Sequence, residues 1–142
     1  MSRTSEQVVW DFVQEWLAKA DGDLKIARHI LDIELSEYSS AGFHAQQSAE
    51  KYTKAFLVRH QVAFPKTHKM DELLKMVSTV DEPLSTELVF SVSLNPFAVE
   101  FRYPGTEDVY RELAESAVND AAKVKDTVLA KLNDYFAAGR PE

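Results

Sequence analysis

The 142-residue chain contains no cysteine, which excludes disulfide staples, thiolate nucleophiles and cysteine-built zinc sites. Glycine and proline are scarce, four and five respectively. They fall between long periodic segments, so a helical protein is expected rather than one of many short strands. No apolar run approaches the roughly 20 residues that span a bilayer. The start, MSRTSEQVVWDF, also lacks the basic region and apolar run of a signal peptide. Together these absences predict a cytoplasmic protein with no membrane segment. Positive charge is short as well: 16 Lys and Arg face 23 Asp and Glu, for a net charge of -7. That balance opposes broad, non-specific nucleic-acid binding, which relies on basic surface to displace counterions. There is no phosphate-binding glycine loop, no dinucleotide fingerprint, no H-E-x-x-H helix and no nucleophile elbow. The four histidines, His29, His44, His60 and His68, have no carboxylate at metal-ligand spacing, so neither metal nor cofactor is expected.

What remains is the composition of one folded domain, 45% hydrophobic and 27% charged, covering residues 1–142 with frayed ends at about 1–5 and 138–142. Thr4-x-x-Gln7 reads as a capping box. After it, Val9, Phe12, Val13, Trp16, Leu17, Ala20, Leu24, Ala27 and Leu31 step by three and four, predicting a long amphipathic helix over residues 6–35 that tolerates Gly22. Its solvent side is expected to carry Asp11, Glu15, Lys19, Asp21, Asp23, Lys25 and Asp32. A short polar connection with Ser39 or Ser40 as cap should return a second helix antiparallel, ending at Arg59 or His60. Pro65 makes a turn, and Thr67 is placed to cap a third helix over residues 68–77. Residues 85–94 read as helical with Leu88, Val89 and Val92 inward. Asn95-Pro96 then interrupts, and residues 97–104 suit one further turn. Thr106, followed by Glu107 and Asp108, opens a second long helix through Val109, Leu113, Ala117, Ala121, Val124, Val128, Leu132 and Phe136, closing near Gly139.

The stretch from Ala41 to Leu74 carries most of the unusual chemistry. On the second helix, Ala41, Ala45, Ser48, Ala49, Tyr52, Ala55 and Phe56 form a small-to-apolar stripe. The opposite arc gathers His44, Gln47, Glu50, Lys51 and Lys54. Residues 44–75 hold six basic residues against three acidic ones, a local excess of positive charge inside an acidic chain. Such a patch suits a nucleotide phosphate or a short RNA, against the plainer reading of a solvated face. The N–H groups opening the third helix, with Lys66, Thr67, His68 and Lys69 around them, would also suit an anion. His44 or His68 is a candidate general base.

FHAQQSAEKYTKAFL at residues 43–57, FPKTH at 64–68 and FRYPG at 101–105, in this order between two long helices, resemble the HEPN family, named for its occurrence in higher eukaryotes and prokaryotes and for nucleotide binding. The resemblance covers roughly residues 16–136. It implies an all-α fold, an up-and-down bundle of about five helices, two long and the rest shorter, usually a homodimer with a groove near the second helix for a nucleotide or RNA. Carried over residue by residue, it makes His44, Gln47, Lys51, Lys54, Lys66, Thr67, His68, Arg102 and Tyr103 the candidate nucleotide-binding set, beside Glu50. Members that cut RNA carry an arginine followed four to six residues later by histidine. Here that window after Arg102 contains Glu107 and Asp108, and neither Arg28 nor Arg59 has such a histidine. The expectation is therefore a non-catalytic module that binds ATP, another nucleoside triphosphate or short RNA and works beside a separate minimal nucleotidyltransferase. The alternatives are a metal-independent RNase of the toxin type, as in a toxin–antitoxin pair, and a dimerisation scaffold.

Overall fold

The protein was analysed as a computed structural model that describes residues 2–105 and 107–142. Helix α1 (Ser5–Asp32) begins at the expected capping box: the Gln7 N–H donates to Thr4 Oγ1 at 3.1 Å, and the Thr4 N–H donates to Gln7 Oε1 at 3.0 Å. It runs unbroken through Gly22 and stops three residues before the expected end, because Glu34 turns left-handed (φ 55°) and the Leu35 N–H reaches back to the Ile30 carbonyl at 3.1 Å. Helix α2 (Tyr38–Arg59) closes the same way, with Gln61 at φ 55° and the Val62 N–H on the Leu57 carbonyl. Neither Ser39 nor Ser40 caps its start; both lie inside the first turn, after Glu37.

Short helices α3 (Met70–Ser78), α4 (Glu82–Glu87) and α5 (Asn95–Ala98) follow, with 3₁₀ segments at Val89–Leu94 and Glu100–Arg102, before the long α6 (Arg111–Ala138). Three expectations fail here for local physical reasons. Thr67 does not cap α3: its hydroxyl accepts from the Lys69 N–H, while the first amide of the helix, Met70 N–H, donates to Asn95 Oδ1 at 2.8 Å. Asn95 also donates to Asp71, so the Asn-Pro pair opens α5 and caps α3 instead of merely interrupting the chain. Asp81 caps α4 through the Leu84 N–H, which starts that helix earlier than expected, at Glu82. The following segment then tightens to three residues per turn, which rotates Val89 out to 62% exposure while Leu84 and Leu88 stay buried. The expected start at Thr106 lies outside the described residues; Glu107 to Tyr110 are not helical, and α6 starts at Arg111.

Helix α2 is the centre of the bundle, packed against α1 on one side and α6 on another, with α3 and α5 closing much of the remainder. The contacts Asp23 to His44, Ala20 to Ser48 and Trp16 to Lys54 set α1 and α2 antiparallel. Lys125 to Asp21 and Tyr135 to Trp10 do the same for α6 and α1. Alanines make this close packing possible: Ala20, Ala27, Ala41, Ala45, Ala49, Ala114, Ala117 and Ala121 are all buried along the seams. The expected stripe of α2 is buried in full, Tyr52 and Phe56 included. Burial and the neighbouring Asp21 carboxylate push the Tyr52 phenol up to about 12. Gly42 has a separate role. A Cβ there would stand 2.1 Å from the Phe97 ring, so the bare backbone lets α5 lie directly against α2. At the far end the tail is tied to α1: Gln7 donates to the Pro141 carbonyl, and Arg3 and Arg140 flank Asp11, holding its carboxyl well below the usual range. Among the described residues no helix is long and apolar enough to cross a membrane.

Candidate functional site

The polar arc of α2 is not a solvated face. Glu50 is 3% and Lys54 7% exposed, and the arc resolves into two stations, each built around one carboxylate. At the first, Asp23 projects from α1 and receives His44 Nδ1 at 3.0 Å on one oxygen and the Lys51 ammonium on the other. The helical repeat placed Asp23 on the solvent side of α1, yet it is 9% exposed. It stands next to the Ala20–Leu24–Ala27 stripe, on the edge that α2 covers, and its two partners stabilise it there.

At the second station, Glu50 receives Lys54 Nζ at 2.6 Å, His68 Nδ1 at 3.1 Å, Gln47 Nε2 at 3.3 Å and Gln46 Nε2 at 3.4 Å. Gln46 also donates to the His68 carbonyl at 2.8 Å and accepts from Gln47, so the loop carrying His68 is sewn onto α2. The Lys54 ammonium stands 5.6 Å from the centre of the Trp16 ring and 5.5 Å from that of Phe64, which meet edge to face. Those rings stabilise the cation on the sides the carboxylate does not reach. No member of this network is left without a counter-charge or hydrogen bond, the condition for a buried ion pair to be tolerated.

Of the expected site residues, the structure therefore brings His44 and Lys51 together on Asp23, and Gln47, Lys54 and His68 together on Glu50. Arg102 joins the first group from the 3₁₀ segment after α5. Its guanidinium lies 4.3 Å from the centre of the Phe43 ring, and it shares with His44, Ser39 and Ser40 a hollow of about 330 Å³. Its hydrogen bond goes to the Ala98 carbonyl, and among the described residues it has no carboxylate partner. The remaining three stand apart. Lys66 is exposed, Thr67 is buried and serves the backbone before α3, and Tyr103, 60% exposed, lines a neighbouring hollow of about 380 Å³. That larger hollow carries Glu107 and Asp108 on its wall, charges that repel phosphate.

Sequence reasoning missed Asp23, Gln46 and Phe43 as site residues. Gln46 sits between stripe and arc, on a flank that only a helix enclosed on nearly every side would bury. Both site imidazoles meet carboxylates from distant positions, which no spacing along the chain reveals. With Nδ1 on a carboxylate, each keeps Nε2 for a second contact. His44 is about a quarter exposed and His68 about two-thirds exposed at the side chain. Among the described residues there is no cluster of three or more His, Asp or Glu able to hold a metal ion.

No curated protein and no solved structure matches the chain. The HEPN domain family model matches residues 13–132, taking in α1 from Val13 onward, both stations and most of α6. The chain belongs to the HEPN family, whose domain is in general terms a nucleotide-binding or RNase-type helical module.

Proposed function

We propose that the hollow between α2 and the 3₁₀ segment at Glu100–Arg102 binds the phosphate of a nucleotide, ATP or another nucleoside triphosphate, or of a short RNA. The observation that carries this reading is Arg102: its guanidinium 4.3 Å over the centre of the Phe43 ring, without a carboxylate partner among the described residues, and lining the same hollow as a histidine fixed by Asp23. A planar guanidinium held on an aromatic ring keeps its donors aligned for a phosphate. The first turn of α2, which no side chain caps, contributes Ser39 and Ser40 and the positive end of the helix dipole. Lys51 adds charge that Asp23 partly offsets, and Gln47 and Tyr103 are the nearest candidates for sugar or base. Lys54 is reserved for Glu50, and Lys66 and His68 flank the far end of the arc.

In this reading the chain is a binding subunit, a cytoplasmic homodimer acting beside a minimal nucleotidyltransferase that supplies the chemistry. Calorimetric titration with nucleoside triphosphates and a short single-stranded RNA, with and without that partner, tests it. Binding that Arg102→Ala weakens supports the reading, and no binding down to millimolar affinity in either form sinks it.

One observation favours metal-independent RNA cleavage as a second reading. His44 on Asp23 and His68 on Glu50 each have the orientation that a general base requires. Opposing it, the window four to six residues after Arg102 holds no histidine. Purified protein that leaves RNA intact over hours would remove this alternative.

A further inference from the structure

The two large exposed apolar residues of α1, Phe12 and Ile26, share one face with half-buried Trp16, exposed Lys19 and buried Asp23, all at three- and four-residue spacing. The sequence periodicity assigned Phe12 to the core, but it is 51% exposed. With Glu15, Trp16 and Lys19 it lines a separate hollow of about 190 Å³ at the far end of this face from Arg102. The buried Lys54 ammonium lies 5.6 Å from the centre of the Trp16 ring and Phe64 meets that ring edge to face, yet Trp16 is only half-buried and borders the hollow. Glu15 and Lys19 stand one turn apart with opposite charge, and among the described residues neither is engaged in an ion pair or hydrogen bond.

We infer that this hollow is a guanine-recognising base subsite, and that the ligand of the α1–α2 seam is an oligonucleotide rather than a mononucleotide. The aromatic side chains offer a stacking surface that any base can use. The two charges select among bases. A carboxylate accepts from the N1–H and N2–H donors of guanine, while an ammonium donates to O6 and N7. Adenine presents an acceptor at N1, which the carboxylate repels, cytosine offers only its amino group to it, and uracil offers a single imide N–H where guanine offers the N1–H and N2–H pair. Asp23, with His44 and Lys51, lies on the same face between the two hollows. Along the helix axes they are separated by roughly 15–20 Å, a span that a single nucleotide does not bridge. This inference rests on the proposed phosphate site at Arg102 for the second end of the ligand, but not for the base subsite itself.

The test uses Trp16 emission in a Trp10→Phe background, titrated with five-nucleotide single-stranded RNAs that carry one central guanine or one central adenine among uridines, and with GMP alone. Stacking predicts that the guanine pentamer quenches Trp16 and binds about tenfold more tightly than the adenine pentamer. Glu15→Gln should erase that preference, and Phe12→Ala should weaken both; each position is exposed, so neither change endangers folding. Arg102→Ala should weaken both pentamers but not GMP. Quenching and guanine preference that survive Arg102→Ala unchanged would refute the phosphate site while keeping the subsite. Pentamer binding that depends on Arg102 but leaves Trp16 emission unchanged would refute the subsite while keeping the phosphate site. A nucleotide-independent Trp16 change with protein concentration, abolished by Phe12→Ala, would also refute the subsite, because the face would then be covered by a second copy of the chain.

Discussion

The two carboxylate stations along α2 use the same residue types and do different work. Around Glu50 the lysine and carboxylate are almost fully enclosed, with side chains 8% and 4% exposed, and two glutamines and a loop histidine complete the shell. Around Asp23 the lysine and histidine remain 22% and 26% exposed, and Arg102, which has no carboxylate partner among the described residues, stands across the hollow. Enclosure converts the first station into a fold determinant that joins α1, α2 and the turn before α3. Partial exposure is what makes the second, in the proposed reading, available to a ligand. Charge count alone does not separate them; what separates them is how much water the lysine and the carboxylate of each can still reach, since His68 beside the enclosed pair is itself about two-thirds exposed.

The comparison breaks most readily at Glu50. Glu50→Ala strands a buried ammonium, and the expected loss is about 3–5 kcal/mol in chemical denaturation. Replacing the pair together, Glu50→Gln with Lys54→Met, should recover most of that loss, since no unpaired charge remains. If the single variant unfolds at the wild-type denaturant concentration, the enclosed station is not a stability element.

Gly42→Ala comes next, at about 1–3 kcal/mol, because its methyl would overlap the Phe97 ring. It should also weaken nucleotide binding, since Phe97 packs on Phe101 at 5.0 Å and Arg102 follows directly. Loss of stability with unchanged affinity would show that Arg102 is placed independently of this contact.

The matching truncation at the open station, Asp23→Ala, should cost only about 1–2 kcal/mol, because Lys51 and His44 can turn to water. Equal losses at Asp23 and Glu50 would erase the distinction drawn between them.

The smallest effect concerns a group in neither station. Tyr52 keeps its proton in the folded state up to about 12, while an unfolded chain releases it near ~10. Its contribution is therefore complete below pH ~10 and is lost as pH rises toward ~12. Tyr52→Phe should flatten the alkaline limb of a stability–pH curve without altering nucleotide affinity. An unchanged limb would mean that other groups set it.

Much of this arrangement is legible in the sequence. The α1 capping box, the α1–α2 hairpin and the buried stripe of α2 follow from local spacing, and the pieces around His44 and Arg102 carry the family resemblance. What escaped was set by distant partners. Asn95 caps α3 from 25 residues away, which displaced Thr67. Asp23 and Glu50 each acquired a histidine from another element. The burial of the polar arc was not legible, because a helical repeat shows which side of a helix is apolar, not that α1 and the loop at His68 cover its other side.

The central claim is that phosphate binds where Arg102 meets His44, and paired calorimetry and denaturation of Arg102→Ala test it most directly. The account predicts nucleotide or short-RNA binding by the unaltered protein, at least tenfold weaker in the variant, with stability changed by no more than about 1 kcal/mol. Affinity equal to that of the unaltered protein, in a variant that remains folded, would contradict it.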